Sequence, residues 1–241
     1  MRLLLIGFLS VFFLLTNTGD GMASTNWEYK QWVMTEPTFL PVTTTNPTNR
    51  YVIHAIDLDE VRKKNLIQSF HENTLPIIQR FKVFTDNEDY CLPTVFVTPV
   101  EVEYLDAKAR PRGWYDSAYN ILVITVGAVD KGKDTFIGVY AHELGHWFWS
   151  NVLTAKDKEK YQSIIGEFND NEIANAKFFY GDKQEYIVFE RFAEDFRIYA
   201  CEIKSIGEIK PVFEQSQGNP KELKSFFSRF LVQNSDRELI F

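Results

Sequence analysis

The chain has 241 residues, 45% hydrophobic and 15% aromatic, with a formal net charge of -7 at pH 7. That length and apolar content are enough to bury the core of one domain, and no low-complexity tract argues for disorder. The negative balance argues against a nucleic-acid partner, because phosphate binding calls for a basic surface. Basic runs such as Arg62-Lys63-Lys64 read as the solvated face of a helix.

In chain order, Arg2 precedes an apolar run from Leu3 to Leu15, and small and polar residues then lead to Gly21-Met22-Ala23. This is the pattern of a signal peptide over residues 1–23, and its apolar core is too short to span a bilayer. A secreted protein without a stable membrane anchor is therefore expected, with 24–241 as a single domain. Residues 24–50, interrupted by Pro37, Pro41 and Pro47, read as an extended N-terminal arm. Apolar residues then recur at helical spacing from Leu58 to Phe81, and Pro76 is expected to split or kink that helix. Cys91 and Cys201 are the only cysteines, and in an exported protein they could pair.

The β-branched stretch Thr94 to Tyr104 predicts a strand, followed by a polar turn containing Pro111 and Gly113. Tyr119 to Val126 predicts a second strand. As a sheet edge it could pair main chain to main chain with an extended peptide; an interior strand is the alternative reading.

The helix that follows is apolar nearly all round (Phe136, Ile137, Val139, Tyr140, Leu144, Trp147), with Asp134 or Thr135 as N-cap. Inside it stands His142-Glu143-Leu144-Gly145-His146, the pattern HExxH. Histidines four apart lie one turn apart on one face, so both imidazoles can bind one tetrahedral metal. Glu143 would sit beside the open coordination position, where it can take a proton from water. Gly138 and Gly145 each cost about 1 kcal/mol relative to Ala in a helix interior, which implies another backbone packed close by. Trp147, Phe148 and Trp149 read as core.

Residues 154–185 are charged and predict helix and loop. A helix from Ile187 to Ile203 shows an apolar face containing Phe189, Phe192, Phe196 and Ala200, and a terminal helix opens at Pro220. A zinc held by HExxH needs one more protein ligand. Trp149 and Val152 stand where a metzincin needs Gly and His, so the ligand is expected to be a downstream carboxylate. Glu167 is one candidate, 21 residues after His146, in surroundings that read as a solvated loop. Glu190 is the better fit, because it shares a helical face with Glu194 and the pair can divide between metal and ligating histidine. The alternative is a solvated stripe of Glu190 and Glu194 with Arg191 and Arg197.

HELGH followed, 44 residues after its second His, by Glu190-Arg191-Phe192-Ala193-Glu194-Asp195-Phe196 resembles the catalytic domain of anthrax toxin lethal factor. The chain is also similar to the small secreted Pro-Pro endopeptidases of Gram-positive bacteria. The likeness includes Arg112-Gly113-Trp114, the strand before the HExxH helix, and a C-terminal helix opened by Pro220. It implies an α+β, zincin-like metalloprotease domain of the gluzincin type. One Zn2+ per chain would be bound by His142, His146 and Glu190, with Glu143 as general base and Glu194 behind a ligating histidine. It also implies a catalytic tyrosine seven residues before the ligand Glu, where Lys183 stands here. Tyr180-Gly181 matches if three residues are inserted, and Tyr186 is the other candidate. The expected function is a secreted zinc-dependent endopeptidase acting on peptide or protein substrates. The alternative is a catalytically silent binding module on the same scaffold.

Overall fold

The computed structural model describes residues 53–55, 68, 72–85, 92–98, 112–117, 120–125, 128, 131–180, 185–206 and 218–232. The expected signal peptide and N-terminal arm, most of the first expected helix, Cys91 and residues 99–111 lie outside the described residues.

The architecture is α+β. Four strands, β1 (Ile53–Ala55), β2 (Thr94–Thr98), β3 (Gly113–Asp116) and β4 (Ile121–Thr125), form one mixed sheet in the order β1-β2-β4-β3. β1, β2 and β4 are parallel, and β3 runs antiparallel to β4 with Tyr115 opposite Leu122. All five residues of β4 are buried, as expected for a strand with neighbours on both sides and cover on both faces.

That topology corrects two expectations. The strand before the HExxH helix is not an edge: its main-chain groups are committed to β2 and β3, so it cannot accept a peptide. Among the described strands, β1 and β3 are the edges. Of Arg112-Gly113-Trp114, expected as a turn, Gly113 and Trp114 instead open β3. Gly113 is there for space: a Cβ would lie 2.6 Å from Val139 Cγ1, 2.9 Å from the Val123 carbonyl oxygen and 3.1 Å from Glu143 Cγ.

Among the described residues five helices of eight residues or more pack on this sheet and on one another, α1 (Lys133–Asn151), α2 (Ala155–Gln162), α3 (Asp170–Tyr180), α4 (Glu185–Asp195) and α5 (Pro220–Ser228), and a four-residue helix spans Lys82–Thr85. α4 runs on into a π-helical turn, Phe196–Ala200, so the helix expected from Ile187 to Ile203 starts two residues earlier and widens before it ends. Residues 72–78 are also helical, with Pro76 inside the run. Among the described residues no helix is long and apolar enough to cross a membrane.

α1 is the central element. Burial reaches Thr135, Phe136 and Val139 near its start and Trp147 and Phe148 near its end, which makes it a core helix. Neither Asp134 nor Thr135 caps it. Gly132, at φ 102°, occupies the N-cap and turns the chain in without a side-chain bond, while Thr135 Oγ1 donates to the Ile206 carbonyl at 3.2 Å. Trp147 and Phe148 are core residues; Trp149 is half-buried against Phe192, 5.0 Å between ring centres.

The two interior glycines of α1 mark close contacts. Gly138 faces Ile206, and Gly145 faces α4, where a Cβ would stand 2.8 Å from Ala193 Cα and 3.3 Å from its carbonyl oxygen. Phe192 and Phe196 then lock the same helix into the core against Tyr161, Phe81 and Phe148 at ring separations of 5.0 Å.

Gly145→Ala is therefore expected to destabilise the protein. The better helix propensity of Ala, about 1 kcal/mol, is opposed by overpacking of a rigid backbone contact, typically about 1–3 kcal/mol. Chemical denaturation would show a lowered midpoint; a raised one would mean that the helices separate freely at this point.

Candidate metal centre

Helical periodicity places His142 and His146 on one face of α1, and the close approach at Gly145 brings that face against α4. Three side chains converge there. His142 Nε2 lies 3.1 Å from His146 Nε2, and the Glu190 Oε2 atom is 3.3 Å from the first and 3.6 Å from the second. One ligand atom from each of the three residues lies within 4.8 Å of the others, so the group could hold a metal ion. Glu167 is exposed and is not in this group; its carbonyl oxygen accepts from Arg191 Nη2 at 2.8 Å.

The donor set fits a divalent cation. His142 Nδ1 stands 2.8 Å from Glu194 Oε1, so in the neutral ring the proton sits on Nδ1 and the Nε2 lone pair faces His146 and Glu190. Two imidazole nitrogens and a carboxylate oxygen then face one another, an arrangement a cation at their centre would neutralise. His146 Nδ1 is buried and has no hydrogen-bond partner among the described residues. Its ring is held by packing, 4.1 Å from the Phe189 ring centre and edge-on to His142 at 4.8 Å.

The electrostatics are those of a buried mixed-charge cluster. Burial opposes ionisation of Glu190, but the two histidines beside it outweigh that and hold its carboxyl well below the usual range. Burial likewise favours a neutral His142, yet hydrogen bonding to Glu190 and Glu194 raises it well above its ordinary value. Glu194 is lowered against its burial by His142 first and Arg197 next. Glu143 behaves the other way: burial raises its carboxyl, and the charges of His142 and His146 only partly offset this.

Arg191, Glu194 and Arg197 are all buried, so the face carrying Glu190 and Glu194 is not a solvated stripe. Arg191 pairs with Glu172 through Nε and Nη2 and donates to the Ile165 carbonyl at 3.2 Å. Glu172 also closes a reciprocal pair with Asn169 at the start of α3, each backbone N–H donating to the other's side chain at 2.9 Å. Arg191 adjoins Glu190 and ties α4 to the 165–172 segment. Sequence reading missed this role, and its one signal was an arginine interrupting an apolar helix.

Tyr186 is buried in the first turn of α4, with its hydroxyl pKa raised by burial and then by Glu185. Tyr180 is the last residue of α3, and its side chain lies outside the described residues. Cys201 is buried at the end of the π-helical turn. Comparison with known families, with curated proteins and with solved structures found no match for this chain.

The geometry leads to a simple expectation about metal content. Glu190→Ala should lose a bound divalent ion that the wild-type chain retains in a 1:1 ratio, whereas Glu167→Ala should keep it. Elemental analysis of the purified variants decides between the two carboxylates, and zinc lost only from the Glu167 variant would move the site.

Proposed function

We propose that the protein is a zinc-dependent endopeptidase with a zincin-like catalytic domain of the lethal-factor-like gluzincin type, acting outside the cell on peptide or protein substrates. The observation that carries this reading is the convergence of His142, His146 and Glu190 beside the buried Glu143, with Glu194 behind His142. HExxH supplies the chemical logic, since it places two ligands and a proton acceptor on one helical turn. A protein that only gripped a partner would have no use for a buried, raised carboxyl next to a metal-competent cluster.

In this reading His142, His146 and Glu190 hold the ion. Zinc bound there would supply a Lewis acid that lowers the pKa of water and polarises a scissile carbonyl. Glu143 takes the proton from the attacking water and passes it to the leaving amine. Its burial favours that role, because a general base works best when its pKa approaches the operating pH. Gly113 lets β3 lie against Glu143, so any pairing of substrate main chain with the sheet would use Gly113–Asp116 and not Ile121–Thr125.

Cleavage of a peptide library, its loss with a chelator and its return with zinc test the activity. Glu143→Gln is expected to keep its metal while turnover falls about 10²-fold to 10⁴-fold. Near-normal cleavage by that variant would remove the mechanism.

A tyrosine hydroxyl is assigned to the oxyanion, and Tyr180 is the favoured residue because Gly181 after it permits a turn toward the metal. Burial of Tyr186 in the first turn of α4 ties its direction to that helix. Tyr180→Phe should lower turnover about 10²-fold to 10³-fold with metal content unchanged. A loss of that size confined to Tyr186→Phe would transfer the role.

A further inference from the structure

Behind the ligating histidine the polar chain does not stop at Glu194. Glu194 spends Oε1 on His142 Nδ1, and its other oxygen, Oε2, accepts from Arg197 Nε at 3.1 Å and Nη2 at 2.6 Å. Both side chains of this ion pair are 4% exposed, so solvent screens it little. The third guanidinium nitrogen, Nη1, donates to the Ile203 carbonyl at 2.6 Å, and the Ile203 backbone N–H donates back to the Arg197 carbonyl at 2.9 Å.

The main chain makes this possible by leaving the α-helix at that point. Phe196–Ala200 form a π-helical turn, closed by Cys201 N–H to the Phe196 carbonyl at 3.0 Å, after which Glu202 adopts φ 61°. Arg80 holds that residue with Nη1 and Nη2 at 2.9 and 2.7 Å from the Glu202 carboxylate. The segment then returns to α1, where Ile206 meets Gly138 and accepts from Thr135. The circuit thus begins at His142 on α1 and ends on the same helix, one turn or two before it.

We propose that Arg197 is a positioning residue for the metal site: by fixing the Glu194 carboxylate it holds His142 in the tautomer and ring orientation that turn Nε2 toward His146 and Glu190. A carboxylate with one oxygen on the histidine and the other on a buried guanidinium cannot rotate away without breaking three charge-assisted bonds. An isolated buried Glu194 would favour protonation or another rotamer, and the Nδ1 acceptor would be lost. π-Helical turns concentrate at functional sites, and here the turn releases the chain to supply the Ile203 carbonyl that completes the arginine's fork.

The inference rests on the proposed metal site, and the test separates the two. Zinc affinity is measured by competition with a chromophoric chelator for the wild type, Arg197→Met, Glu194→Gln and the double variant, alongside thermal unfolding of the metal-free proteins. Removal of a partner behind a metal ligand typically costs about 10-fold to 100-fold in affinity. Arg197→Met is expected to fall in that range. In the Glu194→Gln background, where the buried charge is already gone, the same substitution should cost less than about 3-fold, since Arg197 acts through Glu194. Equal losses in both backgrounds, or wild-type affinity in Arg197→Met, would overturn the proposal. Failure of the wild type to bind zinc would instead overturn the site itself. Should Arg197→Met not fold, Arg197→Lys keeps the charge but loses the fork, and its affinity must still fall for the proposal to stand.

Discussion

Where Gly145 meets Ala193, two helix backbones come closer than a side chain at position 145 would allow, and the clustering of His142, His146 and Glu190 depends on that distance. With the α1 and α4 axes held together there, a histidine on one helix reaches two glutamates on the other, at 2.8 Å for Glu194 and 3.3 Å for Glu190. A single methyl at Gly145 would press against main chain and could be relieved only by moving one helix. The aromatic residues around this contact, Phe148, Phe192 and Phe196 among them, supply the burial that holds the helices at that separation.

A core built this way carries an unusual load of buried charge. Arg191, Glu172, Glu194, Asp195 and Arg197 are all nearly inaccessible to water. Each charge has a named partner: Arg191 with Glu172, Arg197 with Glu194, and Asp195 accepting from the Tyr161 hydroxyl at 2.7 Å. Buried pairs of this kind add little net stability over apolar substitutes, but losing one partner leaves an uncompensated charge and costs roughly 3–5 kcal/mol. Their effect is to make the arrangement of α4 nearly all-or-none. Arg191 fixes one flank of Glu190 to the 165–172 segment, and Arg197 fixes the other end of the helix to the loop that returns to α1.

What the sequence made legible follows the range of each signal. HExxH and the Glu190/Glu194 spacing are local, governed by the 3.6-residue helical repeat, and the structure brings those residues together. Gly138 and Gly145 also read correctly, because a glycine inside an otherwise apolar helix has few other physical causes. The failures are non-local. Whether Ile121–Thr125 lies at an edge depends on pairing with residues up to 27 positions earlier, Thr94 with Ile121, which periodicity cannot report. Gly113 reads in the sequence as part of a turn, and only the position of Val139 and Glu143 identifies it as a strand glycine. The π-helical turn has no sequence signature at all: Phe196 and Ala200 satisfy an α-helical pattern equally well.

The two histidines are held by different physics, and the difference matters for how rigid the proposed metal site is. His142 is fixed by directional bonds, through Glu194 and Arg197, to a loop that closes back on its own helix. His146 has no carboxylate behind it: its Nδ1 is buried without a partner among the described residues, and ring packing against Phe189 and His142, with the Nε2 contacts to His142 and Glu190, confines it. A buried polar atom left unsatisfied costs about 1–3 kcal/mol, whether it is a donor or an acceptor. Packing restrains a ring's plane but not which nitrogen carries the proton, whereas a carboxylate partner restrains both. The preorganisation of this site is therefore asymmetric, strongest at the histidine nearest the α4 ion pairs and weakest one turn further along α1.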